Sequence, residues 1–277
     1  MQLGIFAKTF SGTMPDAVMN AARLAGYQAV QYNMACSGLA SMPSAIPDQA
    51  ADAVRAAAIE HGIAVVAVSA TYNMIHPDPA VRARGHESLR VIAGSAHRMG
   101  TRLLTLCTGT RDPDDQWRAH PDNEAPQAWG DLLDAMTVAV AVADEHDVDL
   151  GIEPELANVV NSAAKARSLI DEVNSPRLKI VLDPANLFES EPLDAQRRIV
   201  AAGIALLADR IALAHAKDRD ARGRFATAGT GVLDYDHYLK CLAHAGFDGP
   251  LVTHGLAAGE ASDVARFLQQ QIAGLPA

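Results

Sequence analysis

The stretch AIEHGIAVVAVS (58–69) carries the reading of the fold. It opens as the end of a helical pattern, meets Gly62, and runs on as an apolar, β-branched segment. A left-handed helix end needs a residue without Cβ, and a short run that is apolar throughout suits a strand covered on both faces. The same order of helix, glycine and strand recurs in ARLAGYQAVQY (22–32), AHRMGTRLLTLC (96–107) and LAHAGFDGPLVTH (242–254). Gly26, Gly100 and Gly246 stand at those junctions.

Three more strands fit the rhythm without the glycine: VDLGIE (148–153), LKIVLD (178–183) and RIALAH (210–215), while LGIFA (3–7) opens the chain. Helix starts are legible too. Thr13 with Asp16 spells a capping box, Asp78-Pro79 a cap with proline in the first turn, and Asn161-Ser162 precedes AAKARSLIDEV. About eight strands alternating with about eight helices, with no composition break, predict one (β/α)₈ TIM barrel, a single domain over 1–277. The alternative, a doubly wound open sheet, would place a Gly-rich phosphate loop after the first strand, where this chain reads AKTFSGTMP.

The formal charge of −10 argues against a nucleic-acid partner, whose phosphates need a positive surface. No leader pattern opens MQLGIFAKTF and no apolar run approaches the roughly 20 residues of a membrane span, so a cytoplasmic protein with no membrane partner is expected. Cys36, Cys107 and Cys241 are far apart and match no paired spacing, which fits reduced thiols.

Function is concentrated where polar residues end apolar strands. Strand five ends at Glu153, six at Asp183, seven at His215 and the last at His254. In a barrel, these C-terminal ends converge on one rim. Each residue alone reads equally well as a helix cap or a satisfied buried group; together they read as a site for one divalent metal. Carboxylates with imidazoles suit Mn, Co, Fe or Zn, with Mn or Zn favoured over Mg. Two long connections, 108–126 and 217–231, follow strands four and seven on the same rim and are expected to serve the site.

The pieces NMIHPD (73–78), GTRDPDDQWRAHPDN (109–123), GIEPE (151–155), LDPANLF (182–188), HAKD (215–218), GTGVLDY (229–235) and GFDGPL (246–251) occur in an order that resembles the sugar phosphate isomerase/epimerase superfamily with a xylose isomerase-like barrel. The resemblance implies that Glu153, Asp183 and His215 bind the metal, with a fourth ligand at His254, where the family usually has glutamate. It implies a keto-sugar or related polyol as substrate, and a homo-oligomer whose interface no sequence patch marks. Asn186 stands where many members carry a substrate-contacting histidine; it can hydrogen-bond a sugar but cannot act as a base.

The expected chemistry is abstraction of a proton next to a carbonyl by Glu153, through an enediolate, with His254 as ligand or acid. His76, Arg111, His120, Glu155, Asn186 and Lys217 are the expected substrate-binding groups. Arg111 could equally be held by Asp112 or Asp115, and Glu155 in a rim salt bridge. Asp218 is expected to orient His215 or its loop. Trp117 and Trp129 are read as loop staples rather than cleft covers. Return of the proton gives isomerisation or epimerisation; loss of a hydroxyl would make the enzyme a lyase, a metal-dependent dehydratase. A non-catalytic sugar-binding barrel and an apurinic endonuclease are the remaining readings. The second would carry an Asp-x-His pair before the glycine-rich loop, where this chain has RFATAGTG, and Asn186 and His254 replace two of its ligands.

Overall fold

The computed structural model describes residues 1–275 and closes the predicted strands into a ring. The barrel strands are β1 (Gln2–Phe6), β2 (Ala29–Tyr32), β3 (Ala64–Ser69), β4 (Leu103–Cys107), β5 (Asp149–Glu153), β6 (Leu178–Leu182), β7 (Ile211–Ala216) and β10 (Pro250–Thr253). They pair in sequence order, and β1 closes on β10, parallel throughout. A short antiparallel hairpin, β8 (Asp218–Arg219) with β9 (Phe225–Ala226), stands on the rim after β7.

Around the ring lie α1 (Pro15–Leu24), α2 (Asp48–His61), α3 (Pro79–Met99), α4 (Pro126–His146), α5 (Ala163–Val173), α6 (Leu193–Leu207), α7 (Tyr235–His244) and α8 (Ala261–Ala273). No helix among the described residues is long and apolar enough to cross a membrane. Gly62 and Gly100 end α2 and α3 in the left-handed region, at φ +63° and +98°. Where the glycine is missing before β5 and β6, Asp147 and Asn174 take the same conformation, at φ +53° and +46°. Their short polar side chains tolerate that backbone better than other non-glycine residues do.

Asp78 caps α3 by accepting from the Ala80 N–H, and Ser162 caps α5 by accepting from Lys165. The expected Thr13–Asp16 capping box does not form. Helix α1 starts at Pro15, its N-cap is Met14, and no side chain caps it. Proline at the first position has no N–H to satisfy, which removes part of the need for a cap.

Side chains alternate along each strand, so every second residue points into the barrel. Ala67, Leu103, Val181, Leu213 and Val252 form a closed apolar cluster there. Gly4 and Gly151 complete this layer by being small. A Cβ on Gly4 would stand 3.0 Å from Val252, and one on Gly151 would stand 2.9 Å from Val181. The next inward position, two residues on, belongs to the polar rim. Counting from those glycines and apolar residues, with Ala29 packed against Gly4 on β2, gives Phe6, Gln31, Ser69, Thr105, Glu153, Asp183, His215 and His254. Each barrel strand, or for β6 and β10 the residue just past its end, supplies one of them.

Candidate active site

Four of these eight residues meet at one point. One donor atom each from Glu153, Asp183, His215 and His254 lies within 4.8 Å of all the others. His215 Nδ1 is 3.2 Å from Glu153 Oε1 and 3.9 Å from Asp183 Oδ2, and His254 Nε2 is 3.3 Å from the same Asp183 oxygen. The two imidazole rings lean together, 4.4 Å between centroids. Asp183 is sealed from solvent, while the side chains of Glu153 and His254 stay 14% and 20% exposed, so the group opens upward.

The neighbouring polar residues set the orientation of these side chains. His215 Nε2 lies 2.9 Å from Gln31 Oε1, and Gln31 Nε2 donates to Thr105 Oγ1 at 3.1 Å. With its amide nitrogen spent on Thr105, Gln31 offers only an acceptor to His215. That arrangement puts the imidazole proton on Nε2 and leaves the Nδ1 lone pair facing the carboxylates. Asn186 donates to Glu153 Oε1 at 3.0 Å, and its own buried Oδ1 has no hydrogen-bond partner among the described residues.

Charge is compressed here, and the acids respond in opposite directions. Burial, with Glu153 beside it, pushes Glu155 up to about 8 against the pull of Lys217. Burial would also raise Asp183, but its bond to His254 and the nearby Lys217 and His215 outweigh it and hold the carboxyl below its usual range. Burial and the neighbouring His215 lower His254, against the opposing pull of its bond to Asp183. Lys217 Nζ lies 3.9 Å from Asp183 Oδ2.

Above the group lies a cavity of about 590 Å³, lined by Gln31, Ser69, Thr105, Glu153, Glu155, His215, Lys217 and His254 and by residues of both long loops. Of the expected substrate-binding residues, Glu155 and Lys217 line it, and Asn186 lies just beneath, against Glu153.

His76, Arg111 and His120 are not among its lining residues. Each is committed elsewhere. His76 lies 3.0 Å from the Pro113 carbonyl, and His120 accepts from the Asp122 N–H. Arg111 is paired with Asp131 on α4 rather than with Asp112 or Asp115, and Asp112 instead holds Arg118. Trp129 donates to Glu172 and so ties α4 to α5 rather than stapling the loop, and Trp117 stands at the cavity mouth.

Asp218 organises the loop after β7 by accepting from the N–H groups of Arg219, Gly229, Gly231 and Leu233. Gly231 is required by that close approach: a Cβ there would collide with the Asp218 carboxylate and the Arg219 carbonyl. Gln31, Ser69 and Thr105 are site residues that the sequence pattern did not reveal. The only signal was a polar residue at an inward position near the end of an otherwise apolar strand.

Comparison with known proteins agrees with this architecture. Residues 19–271 match the family model described as a xylose isomerase-like TIM barrel. A ketose 3-epimerase from Arthrobacter globiformis is 28% identical over 225 residues, 77% of this chain and 71% of that protein. L-ribulose-5-phosphate 3-epimerase UlaE from Escherichia coli is 27% identical over 200 residues, 70% of this chain and 65% of that one. Among solved structures, the 3-keto-D-glucoside 4-epimerase YcjR from E. coli superposes with a TM-score of 0.78 at 17% identity, over 98% of this chain and 99% of the other. A D-allulose 3-epimerase from Methylomonas sp., solved with D-allulose, gives 0.73 at 17% identity, over 98% and 97%. With a closed parallel ring beneath and a match that runs nearly from end to end, the chain belongs to the xylose isomerase-like TIM barrel family.

Proposed function

We propose that this protein is a divalent-metal-dependent sugar isomerase or epimerase acting on a keto-sugar. The observation that carries the reading is the convergence of Glu153, Asp183, His215 and His254 at the floor of the cavity. The donor set fits a metal. Two carboxylates balance a divalent charge, the His215 lone pair is already turned inward by Gln31, and mixed oxygen and nitrogen donors suit Mn, Co, Fe or Zn better than Mg. When bound, such an ion supplies Lewis-acid polarisation of the substrate carbonyl.

The remaining work falls to the chain. Glu153, partly open to the cavity and steadied by Asn186, takes the proton from the carbon beside the carbonyl. The C–H electron pair moves toward the carbonyl oxygen and gives an enediolate. Lys217 and Glu155 line the space in which the sugar hydroxyls would lie. Return of the proton to the same carbon on its other face is epimerisation; return to the neighbouring carbon is isomerisation. His254, the fourth member of the group, would serve as fourth ligand or as acid. The named activities of the relatives are epimerisations, which supports proton return over loss of a hydroxyl.

Elemental analysis of the purified protein and its His254 variants tests the reading. One equivalent of divalent metal is expected, retained in His254→Glu and weakened in His254→Ala. Failure of the wild-type protein to bind Mn, Co, Fe or Zn would overturn it.

A further inference from the structure

The cavity has two chemically different halves. Its floor is the polar ring described above. Its outer wall is apolar where the loops after β4 and β5 meet, with Trp117, Ala119, Leu156 and Ala157 lining it. Phe225 joins the lining from the hairpin after β7, three strands round the barrel from β4. Trp117 and Phe225 are each 51% exposed, and among the described residues they are the only aromatic side chains in the set of large apolar groups left in solvent. Both line this one cavity. An exposed apolar surface continuous with a polar site marks a place where a ligand sits.

Neither ring is there by default. The backbone on either side of the Trp117 ring is fixed: the Trp117 main-chain N–H donates to Asp115 Oδ1 at 2.9 Å, and the preceding Gln116 carbonyl accepts from Asn158. Phe225 rests against Lys217 Nζ, 3.3 Å from the ring centre, and the Arg219 guanidinium, at 4.2 Å.

The charges of the wall narrow the ligand further. Lys217 is engaged by Asp183 and Phe225, and Arg219 donates to the carbonyls of Ala185 and Gly223. Arg111 and Arg118 of the long loop are paired with Asp131 and Asp112. Lys8 is the remaining cation of the lining, and it shares the cavity with Glu153, Glu155 and Glu189. A terminal phosphate would find no paired guanidinium fork here. At about 590 Å³ the space lies within the ~300–1,000 Å³ of pockets that hold drug-sized ligands, which leaves room beyond a single monosaccharide on the polar floor.

We propose that the outer half of the cavity is a subsite for a second, uncharged sugar ring, so that the preferred substrate is a glycosylated keto-sugar rather than a sugar phosphate or a free monosaccharide. This rests on the reading above only in placing the reacting sugar on the polar floor. The test is a binding titration that needs no turnover. In a Trp129→Phe variant, tryptophan fluorescence reports Trp117 alone, and isothermal titration calorimetry on the unaltered protein gives the same constants should that variant not fold.

The probes are D-fructose, D-fructose 6-phosphate, and the glucosyl-fructoses isomaltulose and turanose. At least one glucosyl-fructose is expected to quench Trp117 and to bind at least tenfold tighter than fructose or its phosphate. Phe225→Ala and Trp117→Ala, the latter read by calorimetry, are expected to remove that advantage while leaving fructose binding within about twofold. Tightest binding of the phosphate, equal binding of all probes, no saturable binding of either glucosyl-fructose, or an advantage that survives both variants would overturn the proposal. Saturable binding without turnover of any ketose would count against the isomerase reading alone. Turnover of free ketoses with no glucosyl advantage would count against the subsite alone.

Discussion

The two halves of the barrel reach the same rim with different chemistry. From β1 to β4 the inward strand ends are Phe6, Gln31, Ser69 and Thr105, which are aromatic or neutral. From β5 to β10 they are Glu153, Asp183, His215 and His254, all ionisable. The backbone geometry is the same on both sides, since each residue follows an interior apolar or small residue by two positions. The difference lies in what the positions do. The second half can hold charge and move protons, while the first half can only orient: Gln31 and Thr105 hold His215 across the barrel. Chemistry and alignment are thus separated by sector, and single substitutions on either side should fail in different ways.

The largest effect belongs to the ionisable half. Glu153→Gln keeps the shape of the side chain and its contact with Asn186 but removes the base. We expect kcat/KM on the best keto-sugar to fall by about 10²–10⁴-fold, the span of general-base contributions, with the fold intact by circular dichroism. Activity within tenfold of the parent would move the proton-abstracting role to another residue. On the orienting half, Gln31→Leu leaves every ligand in place and removes only the acceptor opposite His215 Nε2. Loss of such a partner costs about 10–100-fold in metal affinity, measured by chelator competition. Unchanged affinity would show that the imidazole needs no steering.

How much of the molecule is legible in the sequence follows the same division. An Asp or His that ends an apolar strand is conspicuous, because burying a charge is costly unless something pairs with it. That is why Glu153, Asp183, His215 and His254 stand out in the amino-acid sequence alone. Gln31, Ser69 and Thr105 carry no such signal, since neutral polar residues occur in strands for ordinary reasons. Their role depends on which strand faces which across the barrel, and β2 meets β7 only through the closed ring. The long loop after β4 misleads in the other direction. Its Arg111 and His120, with His76 of the loop after β3, look like site residues. Instead they tie these loops to each other, to their own backbone and to α4, and only Gln116, Trp117 and Ala119 of the long loop line the cavity. Loop composition reports how many polar groups need partners. It does not report whether those partners are ligands or the loop's own backbone.

The smallest predicted effect tests whether orientation is passed along a chain of side chains. Thr105 makes no hydrogen bond to the carboxylates or the imidazoles; its Oγ1 accepts from Gln31 Nε2. Thr105→Val has nearly the same shape but no hydroxyl, so the Gln31 amide loses the bond that fixes which of its ends faces His215. The glutamine can still adopt the useful orientation, at the cost of leaving its amide nitrogen without that partner. Metal affinity should therefore fall by only a few-fold, less than in Gln31→Leu. Because Thr105 acts through Gln31, the double variant should bind metal no more weakly than Gln31→Leu alone. Additive losses would mean that Thr105 reaches the site by another route, for instance through the backbone of β4. A double variant that matches the single one would establish Thr105, Gln31 and His215 as one mechanical unit spanning the two halves of the barrel.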